Sequence, residues 1–247
     1  MMEGCQPAGK RHNPPIRRSR HAHGAGVRLD KLAAQGLIAA MFSVVDHPLL
    51  RHKLTALRRR ETDSAHFRRL LSEIGAVLTL EALRGLPESA TPIETPMCAT
   101  LAPTLAAPEP CLVAILRAGL GLLEGARQVL PDAPVGHVGL VRDETTLAAS
   151  RYMLRLPPEL PARGALLLDP MLATGGSAVA AATALKQAGA RVIRFACVVA
   201  APEGVARFTA EHPDVPVFAA ALDERLDERG YIVPGLGDAG DRCFGTE

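Results

Sequence analysis

Hydrophobic and polar positions change their period several times along this chain, and each change marks an element. From Ser64 to Leu83 the apolar residues Phe67, Leu70, Leu71, Ile74, Val77 and Leu78 recur at helical spacing, with Arg68, Arg69 and Glu73 on the other face. That pattern predicts an amphipathic helix. Beyond residue 110, short apolar runs alternate with helical ones. Strands are predicted near 111–116, 135–141, 165–168, 191–200 and 215–221, and helices near 120–130, 177–188 and 202–212. The alternation predicts an α/β fold, with a mainly parallel central sheet flanked by helices on both faces. Ligands of such sheets bind in the crevice beyond the carboxyl ends of the strands. The Pro- and Ala-rich stretch 86–110, which contains Ile93, reads as edge strands or a loop.

The N-terminal segment follows no such pattern. Residues 1 to about 30 are rich in Pro, Gly, Arg and His and are expected to be disordered. Folded patterning begins at Met41, in Met-Phe-Ser-Val-Val-Asp-His-Pro-Leu-Leu. The expected organisation is a disordered basic extension over 1–40 and one domain over 41–247. Translation starting natively at Met41 would account for the extension, and a transit-like segment is the other reading. His21 and His23 could touch a metal, although a solvated tail explains them more simply.

Composition narrows the partners. The 247 residues carry a net charge of +2, with +4 in the first 30 residues, so the body is mildly acidic. There is no tryptophan and only 3% aromatic residues, which leaves few stacking platforms for single-stranded nucleic acid. A nucleic-acid partner is therefore not indicated. The five cysteines (Cys5, Cys98, Cys111, Cys197 and Cys243) are odd in number and widely spaced, with no Cys-x-x-Cys pair. A disulfide framework or zinc site is not indicated, and a cytoplasmic location fits. Cys111 and Cys197 lie in apolar runs and read as small core residues. No apolar run approaches the length of a bilayer span, and the N-terminus lacks the order of a signal peptide.

Three segments carry candidate chemistry. The first is Asp169-Pro170-Met171-Leu172-Ala173-Thr174-Gly175-Gly176-Ser177, between the apolar run 165–168 and an alanine-rich helix. A carboxylate at a strand's end can bind sugar hydroxyls. Glycines at a helix start let backbone N–H groups approach a phosphate, with the positive end of the helix dipole behind them. An ordinary strand-to-helix turn is an equally good reading of the Gly-Gly pair alone. No Gly-Lys-Ser/Thr occurs, so this is not a Walker loop. In the second segment, Arg117 and Arg142 each follow a predicted strand. Either could fork a pyrophosphate or simply form a surface salt bridge. The polar run after Arg142 reads as a lid. The third segment, Gly230 to Arg242, holds too many glycines for a helix or a central strand. Its Tyr231, Ile232, Val233 and Leu236 call for burial, so it reads as an ordered loop whose backbone can read a flat base. A cradle and two arginines at strand ends suit a polyanion charged at both ends, such as phosphoribosyl pyrophosphate (PRPP).

The nonapeptide 169–177 resembles the PRPP-binding signature of uracil phosphoribosyltransferases. So, in the family's order, do His47-Pro48-Leu49, His52-Lys53-Leu54, Ile115 to Gly121, Arg142 to Leu147, Asp169 to Ser177, Ala200 to Gly204 and Gly230 to Arg242. The resemblance covers nearly all of the chain after about Asp46. It implies a type I phosphoribosyltransferase fold with a C-terminal base-binding hood. It implies the reaction of uracil with PRPP to give UMP and pyrophosphate, a pyrimidine-salvage step. Arg117, Arg142, Asp169, Pro170, Met171, Leu172, Ala173, Thr174, Gly175, Gly176, Ser177 and Asp238 look like PRPP contacts, with Arg117, Arg142, Asp169 and Asp238 the catalytic set. Ile232, Gly237, Asp238 and Ala239 look like uracil contacts. Mg2+ held mainly by PRPP and water, a homo-oligomer (dimer or tetramer) and, in some members, a GTP effector are further implications. A PRPP- or nucleotide-sensing regulator of the same fold is the competing reading. The extension 1–40 has no family counterpart, and 86–110 diverges from it.

Overall fold

The computed structural model describes residues 41–142 and 149–246. The expectations for residues 1–40, His21 and His23 among them, and for a lid over 143–148 lie outside the described residues. In chain order the elements are β1 (Phe42–Val44), α1 (Pro48–Arg58), α2 (Ser64–Ala82), β2 (Glu88–Glu94), β3 (Ala99–Leu105), β4 (Cys111–Leu116), α3 (Gly119–Val129), β5 (Val135–Arg142), β6 (Ala149–Arg155), α4 (Leu160–Arg163), β7 (Ala165–Leu168), β8 (Met171–Leu172), α5 (Gly176–Gln187), β9 (Ile193–Ala200), α6 (Pro202–Glu211), β10 (Val217–Leu222), β11 (Arg225–Leu226), β12 (Ile232–Val233) and α7 (Ala239–Phe244).

The main sheet runs β1-β10-β9-β7-β4-β5-β6, with β8 added beside β9. Every pairing is parallel except β5 with β6. Strands β4 and β7 at its centre are apolar at every position because both faces are covered. On β4, Leu112 and Ala114 enter a core shared with Leu71 and Ile74 of α2 and Leu122 of α3. Cys111, Val113 and Ile115 enter the opposite core, with Ala181 and Leu185 of α5 and Phe208 of α6. The period-two alternation of a strand thus feeds two cores rather than one core and solvent.

Local chemistry fixes the helix starts. Pro48 opens α1, where its missing N–H costs nothing, and His47 Nδ1 accepts the Leu49 N–H at 3.2 Å. The Asp63 side chain accepts the His66 N–H at 2.8 Å and caps α2. That hydrogen bond to His66 holds the Asp63 carboxyl below its ordinary value.

The stretch 86–110 contains an antiparallel hairpin, registered from Glu88 opposite Leu105 to Glu94 opposite Ala99. Pro92 and Pro103 are tolerated because each strand of a two-stranded ribbon has a free edge. Helix α1 and strand β6 are elements the sequence pattern did not announce. In the short α1 only Leu50, Leu54 and Leu57 are buried. Strand β6 lies at the sheet edge, where polar residues are accepted. Among the described residues no helix is long and apolar enough to cross a membrane.

Helices α2 and α3 approach unusually closely, and Gly125 is the reason. A Cβ at Gly125 would overlap the Ser72 carbonyl oxygen and stand 2.7 Å from the Ala76 nitrogen, both backbone atoms. Gly125→Ala therefore has to push two core helices apart. We expect a loss of about 1–3 kcal/mol, read as a lower urea midpoint at unchanged m-value.

Candidate active site

The three adjacent strands β7, β4 and β5 end at one edge of the sheet, and each is followed or closed by a candidate residue. Asp169 follows β7, Arg117 follows β4 and Arg142 is the last residue of β5. Register places Ala114 beside Leu168 and Leu116 beside Gly139, so β4 runs past the end of β7 and β5 past the end of β4, and the ends are staggered along one edge. Parallel strands deliver this arrangement automatically. Arg142 is placed by its backbone pairing with Ala149.

The loop after Asp169 is held by β9. The Pro170 carbonyl accepts the Val198 and Val199 N–H groups at 2.9 and 3.0 Å, and the Leu172 carbonyl accepts the Ala201 N–H at 2.9 Å. Gly175 then adopts a left-handed φ of 79° and opens α5, a turn that a Cβ would strain. No side chain caps this helix, so its first N–H groups face a hollow of about 110 Å³ lined by Asp169 and residues 171–178. Such an uncapped helix start suits an anion. Asp169 is buried, and its Oδ1 accepts the Met171 N–H at 3.4 Å.

Helix α6 supports the cradle from outside. A Cβ at Gly204 would overlap the Ala173 carbonyl oxygen and come within 2.6 Å of that of Leu172. One turn on, Arg207 Nη1 donates to the Thr174 carbonyl at 3.4 Å, bringing a positive charge beside the anion site. The sequence reading did not single out Arg207. Its spacing of three from Gly204, on the same helix face, was the available signal.

The third segment packs as an ordered hood. β11 and β12 pair antiparallel, and Ile232 and Leu236 are buried while Tyr231 is 44% exposed. The expected burial of Tyr231 is thus corrected. It lies at the turn, where Asp227 Oδ1 accepts its N–H at 2.8 Å. The expectation that Gly230 to Arg242 contains no helix is also corrected. Asp238 accepts the Asp241 N–H at 2.9 Å and caps the short helix α7. Good capping outweighs the glycines. The Ile232 and Ala239 side chains join the core beside α1 and α2, so the surface these residues can offer a ligand is mainly backbone.

Two arginines clamp the hood. Arg58 forks Asp223 with bonds of 2.7 and 2.6 Å, and the same guanidinium donates to the Gly235 carbonyl at 2.7 Å. Asp223 Oδ2 also accepts the Gly235 N–H at 2.9 Å. Arg242 donates to the Leu57, Leu236 and Arg59 carbonyls at 2.9, 2.7 and 2.6 Å, and its guanidinium carbon lies 4.5 Å from the Phe67 ring centroid. Arg117 reaches the hood too, donating from Nη2 to Asp241 at 3.1 Å. The buried thiols take no part. Burial, with the nearby Asp169 charge, pushes Cys197 far above the ordinary thiol range, and burial also raises Cys111.

A uracil phosphoribosyltransferase family model matches residues 44–246. The chain belongs to the uracil phosphoribosyltransferase family. It is 55% identical to the uracil phosphoribosyltransferase of Paracoccus denitrificans over 208 residues, covering 84% of this chain and 99% of that protein. It is 48% identical to the one from Streptococcus mutans, with 83% and 99% covered. A protein of solved structure from Aquifex aeolicus superimposes with a TM-score of 0.80 at 39% identity, over 84% of this chain and 99% of the other. An adenine phosphoribosyltransferase from Trypanosoma brucei matches at a TM-score of 0.50 and 14% identity, over 80% and 88%. That likeness shows the shared type I phosphoribosyltransferase fold.

The Asp223 carboxylate is almost fully buried and Arg58 keeps modest solvent contact. Asp223→Ala leaves that guanidinium without its counter-charge. We expect a stability loss of about 3 kcal/mol, measured by urea denaturation. Asp223→Ala combined with Arg58→Leu should recover part of it.

Proposed function

We propose that this enzyme transfers the phosphoribosyl group of PRPP to uracil, giving UMP and pyrophosphate, through the residues gathered at the carboxyl edge of its sheet. One observation carries the reading. The cradle 169–177 and strand β11, which pairs with the hood strand β12, both meet the same helix start, Pro202-Glu203-Gly204. Gly204 packs on the cradle, and Glu203 Oε1 accepts the Leu226 N–H of the hood at 3.3 Å. In this reading a ligand with a phosphate at one end and a base at the other spans the two.

In this mechanism the residues 174–177 and the first turn of α5 hold the 5′-phosphate. Asp169 accepts hydrogen bonds from ribose hydroxyls and orients the anomeric carbon. Arg117 and Arg142 face the pyrophosphate and stabilise the charge that grows as it leaves. The hood holds uracil in line with the breaking bond, which supplies proximity. Backbone groups of Ile232 and Gly237–Ala239 meet the base edge, and Asp238 lies between base and ribose. Uracil presents acceptor, donor, acceptor along its pairing edge. Cytosine reverses two of these, leaving buried groups unpaired at a cost of about 1–3 kcal/mol each.

Mg2+ belongs to this reading as a companion of PRPP. Mg2+ keeps several waters and suits coordination largely by substrate oxygens and water. When bound it supplies charge neutralisation on the pyrophosphate.

We further propose a homo-oligomer and a cytoplasmic location, with residues 1–40 as an appendage to one domain over 41–247. The β2–β3 hairpin supports association between copies, since Ile93, Met97, Leu101 and Leu105 are exposed along it. Free thiols at Cys98, Cys111, Cys197 and Cys243 accord with a reducing compartment. A GTP response carries over from some family members as an expectation alone.

The decisive assay compares uracil, cytosine, hypoxanthine and orotate with PRPP and Mg2+. Product is expected from uracil, and equal turnover of cytosine would reject the base reading. Arg142→Ala should lower kcat by about a hundredfold with an unchanged melting temperature. Gly204→Ala should raise the KM for PRPP roughly tenfold, because a shift on the order of 1 Å at a positioning contact is costly. The KM for uracil should change less.

A further inference from the structure

The arginine assigned to the pyrophosphate is moored to the last helix of the chain. Arg117 Nη2 donates to Asp241 Oδ1 at 3.1 Å, and the guanidinium carbon lies 5.8 Å from the Phe244 ring centroid. Gly240 lies alongside, since a Cβ there would stand at ordinary contact distance, 3.8 Å, from Arg117 Nη2. Gly240, Asp241 and Phe244 fall on one face of α7 by helical spacing, so Arg117 lies along a face built to receive it.

Asp241 is itself fixed from two sides. Its Oδ1 accepts the Thr246 hydroxyl at 2.5 Å, and its N–H donates to Asp238 Oδ1 at 2.9 Å. A continuous series of hydrogen bonds therefore runs from Asp238, placed above between base and ribose, through Asp241 to Arg117.

We propose that Asp241 is a positioning residue that aims Arg117 at the pyrophosphate and ties that aim to the order of the uracil hood. The proposal rests on the function given above. Arg117 is half-exposed, with 53% of its side chain accessible, and a long side chain at such a site samples many rotamers when nothing holds it. A guanidinium carries five N–H donors in a rigid fork, so one bond to Asp241 leaves donors for an incoming anion. The carboxylate fixes one end of that fork, and the Phe244 ring supports the cation beside it. Because the mooring stands on α7, any change that loosens the hood also releases Arg117. The pyrophosphate site and the base site then become ordered together.

A double-mutant cycle on the full chain tests this, with steady-state kinetics in PRPP and melting curves for each variant. Asp241→Ala should lower kcat/KM for PRPP roughly tenfold or more. Asp241→Asn should recover part of the loss, because its amide oxygen still accepts from Arg117 and Thr246. In an Arg117→Ala background neither substitution should matter further, since a residue that acts through Arg117 has nothing left to act on. Losses that simply add in that background would mean a structural role for Asp241 and overturn the proposal. So would equal or higher kcat/KM in Asp241→Ala. Absence of UMP formation by the unsubstituted chain would overturn the functional reading together with this one, whereas an active chain with additive losses overturns this one alone.

Discussion

The paired carboxylate and guanidinium of Asp223 and Arg58 decide whether the C-terminal hood holds its shape. The segment from Gly230 onward has two residues in a strand and six in a helix, too few internal hydrogen bonds to hold its shape. Its form comes from outside. Asp223 closes on the Gly235 N–H, Arg58 on the Gly235 carbonyl, and Arg242 on carbonyls from α1, the loop after it and the hood itself. A buried ion pair is seldom a net source of stability, but it is highly intolerant of mispairing. Here that intolerance is useful, since only one placement of the loop satisfies every donor and acceptor.

The same logic explains the opposite half of the site. The cradle 169–177 borrows rigidity from β9 and from the start of α6. Helix α6 is the shared wall, touching the cradle through Gly204 and the hood through Glu203. Cradle and hood are thereby tied to one helix. The burial of apolar faces on both sides of the sheet leaves its carboxyl edge as the place where backbone polar groups can meet a ligand.

Much of this was legible along the chain. Strands β4 and β7 were readable to the residue, because runs such as Ala165–Leu168 are apolar throughout and bounded by Gly164 and Asp169. Helices α2, α3, α5 and α6 were readable from their periodicity or alanine content. The nonapeptide 169–177 was readable as a strand-to-helix turn because glycines after a strand and before a helix have a specific physical use. Strand β6 and helix α1 were less visible. The former is a polar edge strand, and the latter has a narrow apolar stripe of three leucines. The hairpin 88–105 was ambiguous because its residues are nearly all exposed, so burial imposes no pattern on them.

By itself the sequence determined the two-faced sheet, the order of its central elements and the residues at its carboxyl edge, since these follow from apolar periodicity and local turn chemistry. Tertiary structure decided what those residues hold on to. Arg58 and Asp223 lie 165 positions apart, Arg117 and Asp241 lie 124 apart, and Arg207 meets the cradle only because α6 packs against it. No local pattern encodes such pairs. A charged side chain looks the same in sequence whether it faces solvent or a buried partner, and only the folded chain brings the partner within hydrogen-bonding distance.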